Sequence, residues 1–186
     1  MMELLTPRLR VDALRNDDAE ALFACRADPV VARFQGWCPV DVAAARDFIA
    51  AQPTQPEMSG WFQRAIRLRD TGQLIGDLGM NLPEEAERSV EFGISIAPAH
   101  QGAGYASEAV RAMFAFVFGQ LGRHRIHASV DPRNLASMAM LRALGMRQEA
   151  HHRESLWLRG EWVDDVIFAM LAREWQTGPA TAVHRG

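Results

Sequence analysis

One stretch constrains this chain more than any other: Pro98–Ala99–His100–Gln101–Gly102–Ala103–Gly104–Tyr105–Ala106–Ser107–Glu108. It follows a run with strand character, Val90–Ile96, and opens a helical repeat in which Ala106, Val110, Met113 and Val117 recur on one face. A helix start exposes unpaired backbone N–H groups and a partial positive charge. Glycines beside it let an anion approach closely, since no Cβ intervenes. The combination makes an anion site that suits a pyrophosphate. Neither common nucleotide motif fits. There is no Gly-Lys-Ser/Thr, and the glycines do not follow the first strand of a βαβ unit. Taken alone, the stretch is equally compatible with a plain chain reversal.

The surrounding pattern places this loop in a mixed fold. Leu9, Val11 and Ala13 alternate with polar residues as a strand. Asn16–Asp17–Asp18 opens a helix over Ala19–Arg26, which Asp28–Pro29 ends. A second helix is expected from Asp41 to Ala51, broken by Pro53–Pro56. Trp61–Leu68 and Leu74–Met80 pair as a hairpin around Asp70–Thr71–Gly72, and an acidic loop, Pro83–Glu87, precedes Val90–Ile96. Downstream come a helix over Tyr105–Phe118, a strand over Arg125–Val130 and a helix over Leu135–Leu144 stopped by Gly145. Strands Glu154–Leu158 and Glu161–Leu171 follow, joined at Arg159–Gly160. The prediction is an α/β (α+β) fold with a mixed, mostly antiparallel sheet of about seven strands and helices on both faces. Residues 1–176 form its single domain, and 177–186 read as a disordered tail.

Composition narrows the function. With 186 residues, 48% of them apolar, the chain can build one core without disulfides or metal. A net charge of −3 argues against a nucleic-acid or membrane-surface binder. Cys25 and Cys38 belong to no CxxC pair, and His100, His124 and His127 lack the i,i+4 spacing of a helical metal pair. No metal is expected. No signal peptide and no run of ~20 apolar residues is visible, so a cytoplasmic protein is expected.

Gln101-Gly102-Ala103-Gly104-Tyr105-Ala106 matches the Gln/Arg-x-x-Gly-x-Gly/Ala signature of the GNAT (Gcn5-related N-acetyltransferase) superfamily. The wider run resembles the subgroup that includes the ribosomal-protein N-terminal acetyltransferases. It is carried by Gly93–Ile96, Pro98, Gln101–Ala109, Arg125–Ile126, Asn134 with Ser137, Leu144–Gly145–Met146, and Gly160–Glu161–Trp162 with Asp164. Met146 stands where an aromatic is usual, and Ile94 where one is common. The resemblance spans about Leu4 to Trp175 and implies the GNAT fold, with a sheet splayed at the cofactor site.

It also implies an N-acetyltransferase that uses acetyl-CoA as donor and a primary amine as acceptor. By that resemblance the backbone of Gly102, Ala103, Gly104, Tyr105, Ala106 and Ser107, with Gln101, would hold the pyrophosphate. Ile94, Ser95 and Ile96 would pair with the pantetheine arm, and Asn134 would contact it. A strand N–H near Ile94 would steady the oxyanion of the tetrahedral intermediate. A homodimer is plausible by analogy with relatives.

The chemistry needs a neutral amine. An α-amine has a pKa near 8 and a lysine near 10.4, so deprotonation at pH 7 costs about 1.4 and roughly 4.6 kcal/mol. Glu91, on the strand entering the site, is the candidate base, directly or through water. It also reads as an exposed carboxylate or a partner of Arg88. Ser137 is the candidate acid toward the leaving thiolate. Many relatives use a tyrosine there, and this chain has none but Tyr105. Asn134 reads equally as a helix cap. Arg123, Arg125 and Arg133 are candidates for the 3′-phosphate, Trp37 and Trp61 for the acceptor pocket, His151–His152 for the acceptor side, and Asp77 for an acceptor contact. The competing reading is a non-catalytic acyl-CoA-binding sensor, supported by the missing tyrosine. A nucleotide-binding oxidoreductase stands third.

Overall fold

Strands β1 (Leu4–Leu5), β2 (Leu9–Ala13), β3 (Gly60–Leu68), β4 (Leu74–Leu82), β5 (Ser89–Ile96), β6 (Arg125–Val130), β7 (Arg147–Leu158) and β8 (Glu161–Leu171) form one sheet. Their order is β1-β2-β3-β4-β5-β6-β8-β7 in this computed structural model, which describes residues 2–53, 60–82 and 88–177. The loop expected at Pro83–Glu87, most of the Pro53–Pro56 break and the tail beyond Thr177 lie outside those residues. Every neighbouring pair is antiparallel except β5 and β6, which run parallel.

Helices cover both faces. Along β4, Leu78, Met80 and Leu82 enter the main core with Ala109, Val110, Met113 and Phe114 of α4 (Tyr105–Ala115). Period-two alternation turns Asp77 to the other face. There its carboxylate meets Arg26 of α1 (Ala19–Ala27) at 2.9 and 2.5 Å. A smaller cluster joins Ala19 and Leu22 of α1 to Ala45 and Ile49 of α3 (Val42–Ala50). Arg67 of β3 ties this layer to the sheet through Asp12 (2.7 Å) and Asp18 (2.6 Å), all buried.

Four departures from expectation have local causes. The sheet has an eighth strand, β1, whose two residues are too few to show alternation. Asp28–Pro29 ends α1 and also starts α2 (Pro29–Ala32): the Asp28 side chain accepts the Val30 N–H at 2.9 Å, with proline at the first helical position. After Ala115 the helix widens to a π-helical stretch, Phe116–Gln120, in which Leu121 N–H reaches the Phe116 carbonyl at 3.0 Å. The widening puts Phe116, Val117 and Phe118 all in the core. Strand β7 begins at Arg147 rather than Glu154; two register shifts and an exposed, polar surface hide its period.

Candidate active site

β5 and β6 pair only through Ser89↔Arg125, Val90↔Ile126 and Glu91↔His127. Beyond that point β5 stays on β4 as far as Ile96, while β6 follows β8. The sheet therefore opens at its centre. The Ala97 N–H bonds the Ile75 carbonyl at 2.8 Å, on the β4 side. Ladder alternation then turns the N–H and C=O of Ile94 and Ile96 into the gap. The same alternation gives the Ser95 backbone to β4, and its side chain is buried on the α1 face. Ser95 thus lies in the stretch expected to meet a pantetheine arm but does not present its backbone there.

Below the gap, α4 begins without a side-chain cap, because its N-cap is Gly104. Glu108 N–H makes the first intrahelical bond, to the Gly104 carbonyl at 3.1 Å. The N–H groups of Tyr105, Ala106 and Ser107 precede that bond and are left for an outside acceptor. Gly102 and Gly104 both sit at positive φ, 74° and 80°, a conformation costly for any residue with a Cβ. A cavity of about 340 Å³ joins this helix start to the gap. It is lined by Ile94, Ile96, Gln101, Gly102, Gly104, Tyr105, Ala106, Ser107, Asn134 and Ser137, and so gathers most of the residues expected at a cofactor site. Ala103 is absent from that lining; its carbonyl is taken by Arg8. The Gln101 side chain anchors the loop, donating to the Ile96 carbonyl at 2.8 Å.

The loop is held from a distance. Arg8 donates to the Ala103 carbonyl at 2.9 Å and to Glu108 at 2.6 Å, and its guanidinium lies 4.5 Å from the Tyr105 ring centre. Thr6 gives Glu108 a further bond of 2.6 Å. Partial burial pushes the Glu108 carboxyl up, but the bonds from Thr6 and Arg8 outweigh it and hold the group below the ordinary carboxylate range. Neither Thr6 nor Arg8 was marked by any local sequence signal.

Asn134 is the N-cap of α5 (Leu135–Ala143): its side chain accepts the Ser137 N–H at 3.1 Å. Capping and a place on the cavity wall coexist, since the cap uses the amide oxygen and leaves its NH₂. A second cavity, about 120 Å³, fills the gap between Phe92, Gly93 and Ile94 and the Ser129–Asp131 segment, with Ser137 at its edge. A third, about 890 Å³, continues from Gly93 and Ser129 to Glu91, Trp61 and Trp157. Phe34 and Gln35 line both junctions and were not singled out in the sequence.

Uncapped helix start, opened sheet and adjoining cavities form one path from a free anion site to the wide end beside Glu91. The acetyltransferase (GNAT) domain family matches residues 8–147. The chain belongs to the GNAT acetyltransferase family. It is 31% identical over 177 residues to the uncharacterized N-acetyltransferase p20 of Bacillus licheniformis, covering 94% of this chain and 99% of that one. It is 33% identical over 110 residues to the ribosomal protein uS5-alanine N-acetyltransferase of Escherichia coli, 59% of this chain and 57% of that one. The GNAT acetyltransferase of Bacillus anthracis has the same fold, with a TM-score of 0.83 over 92% of this chain and 99% of that one at 24% identity. This GNAT chain is an N-acetyltransferase.

Within the GNAT frame, Glu91 and Ser137 occupy different parts of one trough, Glu91 on its wide end and Ser137 at the gap. His127 is the strand neighbour of Glu91. Burial lowers the His127 pKa, against the opposing pull of Glu91. Its Nδ1 lies 3.2 Å from the Ser89 hydroxyl. Trp61 lines the wide end, whereas Trp37 stacks on Phe48 at 4.0 Å and is spent on packing. Asp77 is fully buried on Arg26 and Gln63 and lines none of these three cavities. Arg123 and Arg125 lie at the closed end of β6, far from the Gly102–Gly104 loop; Arg125 pairs with Glu149 at 2.7 Å. Arg133 is held by Asp131 and Glu161. His151 is exposed and pairs with Asp164 at 2.7 Å. Among the described residues, no helix is long and apolar enough to cross a membrane, and no group of three His, Cys, Asp or Glu could hold a metal ion.

Proposed function

We propose that this enzyme takes acetyl-CoA as donor and carries the acetyl group to a primary amine, a protein N-terminal α-amine or a small-molecule amine. One observation carries the reading: the open edge of β5 beyond Glu91 ends at the uncapped start of α4. The N–H groups of Gly102 and of Tyr105 to Ser107 bind the pyrophosphate, and Gln101 keeps the loop in place. Ile94 and Ile96 receive the pantetheine amides, with the NH₂ of Asn134 opposite. Glu91 accepts a proton from the incoming ammonium, directly or through one water. The amine nitrogen then attacks the thioester carbon, and the Ile94 N–H faces the developing oxyanion. As the C–N bond forms and the C–S bond breaks, Ser137 or a water protonates the departing thiolate, and the second proton shed by the nitrogen replaces the one given up.

The demand on the base favours an α-amine acceptor. An α-amine needs only about 1.4 kcal/mol of help at pH 7, which a partly exposed carboxylate can supply. The likeness to a ribosomal-protein alanine N-acetyltransferase supports the same choice. We extend the reading to a homodimer, supported by the exposed edge strand β7, and to a cytoplasmic setting.

The test is release of free thiol from acetyl-CoA with a panel of amines. Release that depends on an amine supports the transferase. Tight acetyl-CoA binding with no release for any amine supports the non-catalytic sensor instead.

A further inference from the structure

The wide end of the trough is unlike a site for a highly charged acceptor. Its walls include Phe34, Trp61, Phe92, Leu156, Trp157 and Leu158. Among the described residues lining it, Glu91 is the one carboxylate and Arg159 the one cation. Trp61 is 50% exposed and Trp157 56% exposed, a large apolar outlay for surface that no described residue covers. Trp157 is not loose: Trp162 packs edge-on against it with ring centres 5.3 Å apart. The tight turn at Arg159–Gly160, both at positive φ, fixes the hairpin that carries them.

Register places the aromatic surface relative to the base. Trp61 pairs with Asn81, and Asn81 with Glu91, so the three side chains share one face. Two strand spacings separate Trp61 from Glu91, roughly 10 Å. That is about the reach of an amine joined to a ring by a short alkyl link. With its amine on Glu91, such an acceptor lays its ring against Trp61 and Trp157. A polyamine placed there would strip water from its further ammonium groups, and among the described residues of that lining no second carboxylate meets them.

We infer that the acceptor is a monoamine carrying an aromatic or bulky apolar group close to its nitrogen. The inference rests on the acetyl-transfer reading above. The reaction is balanced by that reading: the amine nitrogen gains the acetyl carbon, the C–S bond breaks, the amine proton leaves through Glu91 and coenzyme A departs as the thiol. The same chemistry is offered by a free arylalkylamine and by a polypeptide beginning with an aromatic residue.

The experiment uses the full chain. Acetyl-CoA affinity is measured first by calorimetry. Thiol release is then followed with 2-phenylethylamine, a Phe-initiated peptide, propylamine and spermidine. The expected kcat/KM for 2-phenylethylamine or the Phe-initiated peptide exceeds those for propylamine and spermidine by about tenfold or more, the scale of one buried aromatic contact. Preference for the peptide over the free amine assigns the source to a polypeptide N-terminus; the reverse assigns it to a small molecule. Trp61→Ala and Trp157→Ala each raise KM for the aromatic acceptor about five- to tenfold, with acetyl-CoA affinity kept and Trp157→Phe restoring most of the loss. Spermidine as the best acceptor, equal KM in the alanine variants, or no turnover of any acceptor by a protein that binds acetyl-CoA overturns the inference. Loss of acetyl-CoA binding in the wild type, or binding without turnover of any amine, overturns the acetyl-transfer reading itself, and this inference with it.

Discussion

Arg8 reaches across the fold to Glu108, Nε to Oε2 at 2.6 Å, and with the same guanidinium holds the Ala103 carbonyl. A residue before β2 thereby fixes the start of α4, the proposed place of the donor's phosphate groups. The pair is partly exposed, so its worth to global stability is small. Its effect belongs to the loop. Arg8→Ala is expected to weaken acetyl-CoA binding about tenfold, or about 1.4 kcal/mol, through lost preorganisation, with kcat at saturating donor little changed. Calorimetry and steady-state kinetics check the two halves.

Glu108 sets a pH dependence. Its folded-state pKa lies below the ordinary 4.5, so its stabilising bonds are fully present above that value. They are lost as pH falls through the lower, folded-state value. Thermal stability of wild type and Glu108→Gln should differ most at neutral pH, and the two should converge in acid. A difference that grows as pH falls would contradict the assignment.

Glu91→Gln should lower kcat by about a hundredfold or more while leaving acetyl-CoA affinity intact, the usual cost of a lost general base. The effect should be largest below the amine's own pKa, where a base is needed. The substitution also removes the carboxylate that props up the neighbouring His127. NMR titration should then show the His127 pKa falling further below 6.5. An unchanged pH–rate profile would remove Glu91 from the role of base.

Asp77 tests the boundary between structure and chemistry. It is fully buried against Arg26, so Asp77→Asn leaves a buried guanidinium without its counter-charge. The expected loss is about 3 kcal/mol or more, a Tm lower by roughly 6–12 °C. KM for the amine should not move in the protein that remains folded.

The strand–glycine–helix order was legible because each part has a local cause. Gly102 and Gly104 are needed at positive φ, and the α4 stripe recurs at helical spacing. Asn134 and Ser137 announced the start of α5, and the cap is present. What escaped is non-local or irregular. Thr6 and Arg8 meet Glu108 only after the sheet is assembled. Phe34 and Gln35 carry no motif; the turn after α2 brings them to the trough. Asp77 reads as a polar strand residue until Arg26 and Gln63 close on it. Strand β7 lost its period to register shifts, and the helix after Ala115 kept an apolar run that one regular helix face could not bury.

The most direct measurement is calorimetric titration of the wild type and Gly104→Glu with acetyl-CoA, after circular dichroism has shown both folded. Gly104 sits at φ 80° at the start of α4, and a Cβ there would lie 3.5 Å from the Arg8 guanidinium that holds the loop, so the substitution strains the helix start and adds a carboxylate beside the proposed pyrophosphate site. The account predicts a single site in the wild type and affinity reduced by about a hundredfold or more in the variant, since like charges meet at the helix start. Equal affinity in the two proteins, or no binding to the wild type, would contradict the claim that this loop holds the donor.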